Sequence, residues 1–411
     1  MTIDLRVLEP AEWDTWFGAL ELAFGGVPDT VGETRLLRDL TEFDRSIGVW
    51  DGEECVGTAG AFSFLLSVPG GAQVPAAGVT MVSVAATHRR RGVLRSMMRR
   101  QLDDVRSWGE PLAVLTASEP VIYGRYGYSA ATEQLSADID TSRVRIAIPE
   151  GSGDVRLRRV KPDDPAVRDA CEAVYAAEVA GRPGMLARRP GWERHPVVDA
   201  GKVRDGKSAL QCVLAERDGE VVGFTLFHNK PEWDGAGPKG TIELRDLYAL
   251  DPVAYASLWD FLFSIDLTSA VQAGNRPADD PFQYLVSDIR RCQVRRRDSL
   301  YLRPVEVGAA LEARTYRTPV DVVLEVTDAF CPWNEGRWRL SGDPKGASCE
   351  RTADQADLAL SVNELSAAYL GGVSLSALAR AGRVREIRSG ALSEASAAFS
   401  SEIAPWLPHG F

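Results

Sequence analysis

Histidine is scarce in this 411-residue chain, and its four copies, His88, His195, His228 and His409, lie far apart. The six cysteines, Cys55, Cys171, Cys212, Cys292, Cys331 and Cys349, show no CxxC spacing. A zinc site or a disulfide framework needs clustered side chains, so neither is expected, and no metal is expected. The thiols read instead as small buried hydrophobes. No apolar run approaches the roughly 20 residues of a membrane span. The opening segment MTIDLRVLEPAEWD lacks the apolar stretch of a signal peptide, which makes cytoplasmic residence the expectation. An excess of basic charge is missing too: 47 Lys and Arg against 58 Asp and Glu leave a net charge of −11. That balance argues against nucleic acid as a partner and favours a cationic substrate, although acidity also serves solubility.

What is present fits a soluble globular protein, 45% hydrophobic and 26% charged, and too long for a single ordinary core. Residues 1–150 alternate helical and strand patterns. AEWDTWFGALELAF has helical spacing; SIGVWDGEECVGTAGAFSFLLSV reads as two strands joined at Asp51-Gly52. A strand AGVTMVSVAA follows, then a helix, then the short apolar strand PLAVLTAS and the turn-rich EPVIYGRYGYSAA. Residues 151–300 repeat this order weakly, with a strand pair around Asp218-Gly219, the strand GTIELRDLYAL, and the helix DPVAYASLWDFLFSI. Asp251 is placed to cap that helix, with Pro252 as its first residue. Two tandem copies of one α+β unit account for this order. Residues 301–411 change character: strands VDVVLEVTD, RWRLSGD, ASCERT and ADLALSV are followed by three short amphipathic helices, with Asn363 a candidate cap of the first and Ser374 at the start of the second.

The copies differ where the strand meets the helix. In the first, the turn reads Arg89-Arg90-Arg91-Gly92 and the helix presents Leu94, Met97, Met98, Leu102 and Val105 on one side, with Gly109 to stop it. Unpaired backbone N–H groups, a glycine and several guanidinium groups suit a diphosphate. The preceding strand offers the main chain of Val82 and Val84 to an extended amide-bearing ligand such as pantetheine. In the second copy an acid, Asp251, stands at the same place and would repel a phosphate, so that unit is expected to be inactive.

Strand, arginine-rich turn and helix resemble the acyl-CoA motif Q/R-x-x-G-x-G/A of GCN5-related N-acetyltransferases (GNAT), here Arg89, Gly92 and Leu94, with Leu94 in place of the usual small residue. VSVAATHRRRGVLRSMM with TASEPVIYGRYGYSAAT resembles more closely the enhanced intracellular survival (Eis) family of actinobacterial acetyltransferases. The resemblance runs the whole length. It implies an α+β chain of two tandem GNAT domains followed by a sterol-carrier-protein-like α+β domain: 1–150 catalytic, 151–300 degenerate, and 301–411 ending in a catalytic carboxylate. It further implies acetyl-CoA as co-substrate, an amine-bearing small molecule of aminoglycoside or polyamine type or a protein lysine as acceptor, and a homohexamer. Carried over residue by residue, Val82, Ser83 and Val84 bind the acetyl-pantetheine end. Arg90, Arg91, Gly92, Val93, Leu94 and Arg95 hold the pyrophosphate. Ser118 and Glu119 match further cofactor contacts, although Ser118 could equally cap the next turn.

Acetyl transfer to an amine needs a neutral amine, a donor to the developing oxyanion, and a proton for the departing thiolate. A tyrosine of pKa about 10 can supply that proton, and YGRYGY holds three: Tyr123, Tyr126 and Tyr128. The residues alone do not choose among them; the family resemblance assigns the acid to Tyr123. For the base, the resemblance assigns the α-carboxylate of the terminal phenylalanine, Phe411. The ending APWLPHGF has the prolines and aromatics to be pinned in an apolar groove, and His409 is the rival base. Around the substrate, Asp298 is a candidate lining residue or else the partner of neighbouring Arg295–Arg297. Trp13 and Trp16 are candidates for substrate stacking or for the core. Gly410 stands where a penultimate acid would strengthen an aminoglycoside pocket. The competing expectations are a non-catalytic lipid carrier built on the last domain, and an acyltransferase using a longer acyl-CoA.

Overall fold

The structure, a computed structural model, describes residues 3–198 and 206–411. The chain divides into two compact units. One comprises Met1–Thr132, Arg182–Ala187 and Asp298–Phe411; the other comprises Glu133–Gly181 and Arg188–Arg297.

The first unit is built on an eight-stranded sheet. Its order is Ile3–Val7, Ile47–Asp51, Glu54–Ser67, Gln73–Val84, Leu112–Thr116, Leu300–Pro304 and Ser129–Ala130, with Leu186–Ala187 paired to Glu54–Ser67. Neighbours are antiparallel except Gln73–Val84 with Leu112–Thr116, a parallel pair joined by the helix Val93–Ser107. That helix exists because Met97, Met98, Leu102 and Val105 recur at helical spacing and are all buried. It ends at Gly109, whose φ of +73° continues the chain where a Cβ would be strained. The first helix, Trp13–Ala23, buries Trp13, Trp16 and Phe17. Trp16 Nε1 donates to the Ile47 carbonyl at 2.9 Å, so both tryptophans serve the core.

The same unit holds a five-stranded sheet ordered Gly346–Arg351, Gly336–Asp343, Val320–Thr327, Leu358–Ser361 and Arg385–Glu386, with helices Val307–Glu312, Val362–Ala368, Leu375–Arg380 and Ala391–Phe399. Each stretch read as a strand or helix beyond residue 301 forms one. The cap of Val362–Ala368 is Ser361, not Asn363: Ser361 completes a reciprocal pair with Glu364, which frees Asn363 to face elsewhere.

The second unit repeats the pattern on a seven-stranded sheet. Gly240–Ala249 and Thr268–Pro277 are parallel and joined by the helix Pro252–Phe263. Asp218 and Gly219 both take positive φ, +52° and +88°, as the hairpin turn demands. Two strands depart from the boundaries drawn at residues 150 and 300. Glu133–Asp140 pairs with Thr268–Pro277 in the second sheet, and Leu300–Pro304 pairs with Leu112–Thr116 in the first. The region after residue 301 joins the first unit through that strand.

Candidate active site

The site begins where two parallel strands part. Gln73–Val84 pairs with Leu112–Thr116 only at Ala76, Ala77 and Gly78, the last opposite Val114. Beyond Gly78 the strand turns away: Met81 adopts φ +52°, and the register against Glu54–Ser67 shifts between Thr58 and Gly60. Thr58 Oγ1 ties the bulge by donating to the Met81 carbonyl at 2.6 Å and lies 2.7 Å from Ser83 Oγ. Ser83 and Val84 stay paired with Thr58 and Gly57 but have left the parallel partner, so one edge of the backbone there faces the gap.

The helix Val93–Ser107 points its N-terminus at this gap. Gly92 occupies the capping position at φ +85°, and no side chain caps the helix. The first N–H groups are therefore left for a ligand. A cleft of about 780 Å³, within the usual range for ligand sites, joins these parts. Its walls include Val82, Ser83, Val84, Arg90, Gly92, Val93, Leu94, Arg95, Ser118, Glu119 and Tyr123, all of them singled out in the sequence. Arg91 does not line it, and Arg89 does. Sequence reasoning missed Ala23, Phe24, His88, Val121, Ile122 and Arg125 on the same walls. His88, Val121, Ile122 and Arg125 lie within the two quoted family stretches, whereas no motif marks Ala23 and Phe24. His88 is buried, with Nε2 3.3 Å from Asp51 Oδ2. Four arginines against one glutamate give the cleft an anion-binding character.

Tyr123 ends the single helical turn Pro120–Tyr123, whose capping residue Glu119 accepts no cap hydrogen bond. The phenol is 8% exposed, and burial, then Tyr126 and Glu119, push its pKa up to about 12. Tyr126 also lines the cleft, whereas Tyr128 is 1% exposed and does not. The three tyrosines thus separate by environment, a distinction that their sequence hides.

The chain's last segment returns to this unit. Trp406 N donates to the Pro183 carbonyl at 2.8 Å, Arg182 Nη1 to the Ala404 carbonyl at 2.7 Å, and residues 405–409 are buried. The Phe411 ring packs edge-on against Phe64, centroids 5.0 Å apart. A Cβ on Gly78, the point where the strands part, would lie 3.2 Å from the Phe411 ring. His409 is buried. Burial, then the charge of Asp298, pushes the Tyr301 phenol up to about 12. Arg295 and Arg296 pair with Asp138 and Glu133.

In the second unit the corresponding features are closed. Asp251 caps its helix, accepting from Val253 N and Ala254 N at 2.9 Å each, and pairs with Arg217. Strand pairing between Gly240–Ala249 and Thr268–Pro277 likewise stops at Leu244, but Arg276 Nη1 donates to the buried Leu247 carbonyl at 3.0 Å. Asp280, fully buried, holds Arg276 and the Tyr255 hydroxyl. Helix N-terminus and strand edge are both satisfied by the protein itself. This unit also brings Cys171 and Cys212 to the wall of one small cavity, an adjacency that their separation along the chain conceals. Among the described residues no group of His, Cys, Asp or Glu suits a metal, and no helix is long and apolar enough to cross a membrane.

Comparison with known proteins follows the same division. Residues 4–131 and 184–304 each match the model of an acetyltransferase (GNAT) domain, and residues 307–408 match that of a sterol carrier protein domain. The chain is 68% identical over 411 residues to an uncharacterized N-acetyltransferase of Streptomyces avermitilis, covering 100% of both chains. It is 32% identical over 421 residues to N-acetyltransferase Eis of Mycobacterium tuberculosis, covering 98% of each. The solved structure of Eis1 from Mycobacterium abscessus is similar along 100% of both chains, with a TM-score of 0.83 at 34% identity.

Proposed function

Because this chain belongs to the Eis family of GCN5-related N-acetyltransferases, we propose that the cleft of its first unit moves an acetyl group from acetyl-CoA to a primary amine. The acceptor is a cationic small molecule of aminoglycoside or polyamine type, or a lysine side chain. The carrying observation is the convergence of three features on one cleft: an uncapped helix N-terminus, a strand edge released from its partner, and a buried tyrosine.

Each feature has a separate task. Val82, Ser83 and Val84 present main-chain groups along the released edge to the pantetheine amides, in the manner of an added strand. Backbone N–H groups after Gly92, with the Arg90 and Arg95 guanidiniums, hold the pyrophosphate. Ser118 and Glu119 complete the wall. Acetyl-CoA supplies the thioester whose acyl carbon the amine attacks. As the C–S bond breaks, Tyr123 gives its proton to the sulfur, and its raised pKa keeps that proton in place throughout the physiological range. The Phe411 α-carboxylate, carried to the first unit by the packed tail, takes the proton that the amine loses.

A second cleft of about 480 Å³ lies between the first helix and the helix Val31–Leu40, with Phe17, Glu21 and Asp29 in its walls. Burial, then the charges of Glu33 and Glu21, raise the Asp29 carboxyl above its ordinary pKa. Asp14, Glu21 and Asp29 stand there against Arg35 and Arg38, and this net acidic wall supports a positively charged acceptor. A cytoplasmic homohexamer is the assembly this reading carries with it, supported by the family resemblance.

The test is to follow free thiol while the protein is incubated with acetyl-CoA and a panel of primary amines. Tyr123→Ala and a variant extended past Phe411 serve as controls. Amine-dependent thiol release, lost in both variants, is the expected result. Release indifferent to both changes would sink the mechanism. Saturable lipid binding without thiol release would favour the carrier reading, and faster release from a longer acyl-CoA would change the donor.

A further inference from the structure

The segment that presents Tyr123 is poorly equipped to hold its own shape. A helical turn of four residues, Pro120–Tyr123, runs into the loop Gly124–Tyr128, which contains two glycines. A turn so short has no stability of its own, and each glycine adds conformational freedom that folding must remove. The loop's internal backbone bonds are long, 3.2 Å from Gly127 N to the Gly124 carbonyl and 3.3 Å from Tyr128 N to the Tyr123 carbonyl.

Its carbonyl oxygens are instead taken by side chains from beyond residue 300. Asn363 Nδ2 donates to the Gly124 carbonyl at 3.0 Å and to the Tyr128 carbonyl at 3.2 Å. Ser366 Oγ donates to the Gly127 carbonyl at 2.8 Å. Arg303 Nη1 donates to the Tyr126 carbonyl. Arg303 is itself fully buried and fixed by Asp328 at 2.6 Å, whose carboxylate also accepts from Asn334 Nδ2 at 3.0 Å and Cys331 N at 2.9 Å. A Cβ at Gly127, where φ is +85°, would collide with the Arg303 guanidinium, so guanidinium and loop fit only through a glycine. From the same stretch, Phe330 packs edge-on against Tyr126 at 4.9 Å and lies under the Arg95 guanidinium at 5.6 Å. Asn363, Ser366, Arg303 and Phe330 do not line the cleft.

We propose that Asn363, Ser366 and Arg303 are positioning residues, which fix the 124–128 loop and through it the hydroxyl of Tyr123 against the reacting thioester. The inference rests on Tyr123 as the acid. It gives the sterol-carrier-protein-like region a task in acetyl transfer besides delivering the tail: its helix Val362–Ala368, together with the strand Leu300–Pro304, braces the acid's loop.

Arg303 is a poor probe, because removing one partner of a buried ion pair can unfold the protein. Asn363→Asp is better: it keeps size and shape but turns a carboxylate towards two carbonyls, and Ser366→Ala removes a single donor. Both are measured alone and in a Tyr123→Phe background, in the full chain, for kcat, for KM of acetyl-CoA and for thermal midpoint. Asn363→Asp is expected to lower kcat about tenfold or more, as small misplacements of a catalytic group do. KM of acetyl-CoA should stay within about twofold, because the pyrophosphate contacts are elsewhere. With Tyr123 already Phe, neither variant should cost anything further, since a residue that acts through another loses its effect when that other is gone. The same fractional loss in both backgrounds, or an unchanged kcat in the single variants, would overturn the inference. Should Tyr123→Phe alone leave kcat unaltered, the acid assignment fails and the positioning role falls with it. A loss of folding in Asn363→Asp hands the decision to Ser366→Ala, which removes one hydrogen bond and should move the midpoint by no more than about 5 °C.

Discussion

Tyr123 illustrates how far one side chain's chemistry depends on what surrounds it. An exposed phenol ionises near pH 10, but this one is held to about 12 by burial. A general acid works only while protonated, so its contribution is lost as pH rises through its own pKa. With an acceptor whose amine is neutral throughout, kcat should therefore show no alkaline decline up to pH about 10. A decline with midpoint near that value would assign the limb to an ordinary, hydrated phenol. Tyr123→Phe, which keeps the ring and removes the proton, should lower kcat about a hundredfold. The thiols are silent by the same physics. Burial raises Cys55, Cys292 and Cys331 to about 11, and Cys349 to about 12, so little thiolate is present at neutral pH. Treating the native enzyme with a maleimide should leave its rate unchanged; rapid inactivation would contradict that environment. Motif matching singled out Tyr123 in the sequence, but nothing in YGRYGY distinguishes three buried rings. Burial is set by what packs on the loop, and the loop's partners lie at residues 303, 363 and 366. Asn363 shows why such partners stay hidden. Its position before an amphipathic run suits a cap, but Ser361, two residues earlier, wins that role through its reciprocal bond with Glu364.

Two helices, built alike, differ at their first residues. Val93–Ser107 starts at a left-handed glycine that offers no cap, and Pro252–Phe263 starts at an aspartate that fills its own N-terminus. Replacing Arg90 and Arg95 by Gln should raise KM of acetyl-CoA about tenfold or more with a smaller effect on kcat, since charge-assisted bonds to phosphate are lost. Asp251→Ala should leave that KM unchanged and cost about 1 kcal/mol of stability through the missing cap, readable by denaturant titration. This contrast was legible in advance, because caps and phosphate cradles are written in consecutive residues. The hairpin at Asp218-Gly219 and the alternating strands were legible for the same reason. Strand partnership was not. Alternation marks Glu133–Asp140 and Leu300–Pro304 as strands, but a periodicity of two names no neighbour, and both join a sheet other than the one their position in the chain suggests. The closing of the second unit by Arg276 was equally hidden, since a lone arginine in a strand gives no sign that it will donate to the Leu247 carbonyl.

The whole chain places two acetyltransferase domains in series, and the helix N-terminus is left uncapped in the first and capped in the second. The third region supplies what the first lacks: a strand of its sheet, the grip on its tyrosine loop, and the packed tail ending at Phe411. The second unit keeps a sheet and a core of its own while its helix N-terminus is filled by Asp251. The second unit's core of Phe227, Trp259 and Phe282 is as buried as any in the protein. Light scattering should give six chains per particle; a stable monomer would remove the hexamer from this account. The measurement that bears most directly on the account is calorimetric titration of the full chain with acetyl-CoA, beside Arg90→Glu/Arg95→Glu and Asp251→Ala. One site per chain, abolished by the paired arginine change and retained in Asp251→Ala, is the predicted result. Two sites per chain, or binding that survives the loss of both arginines, would contradict it.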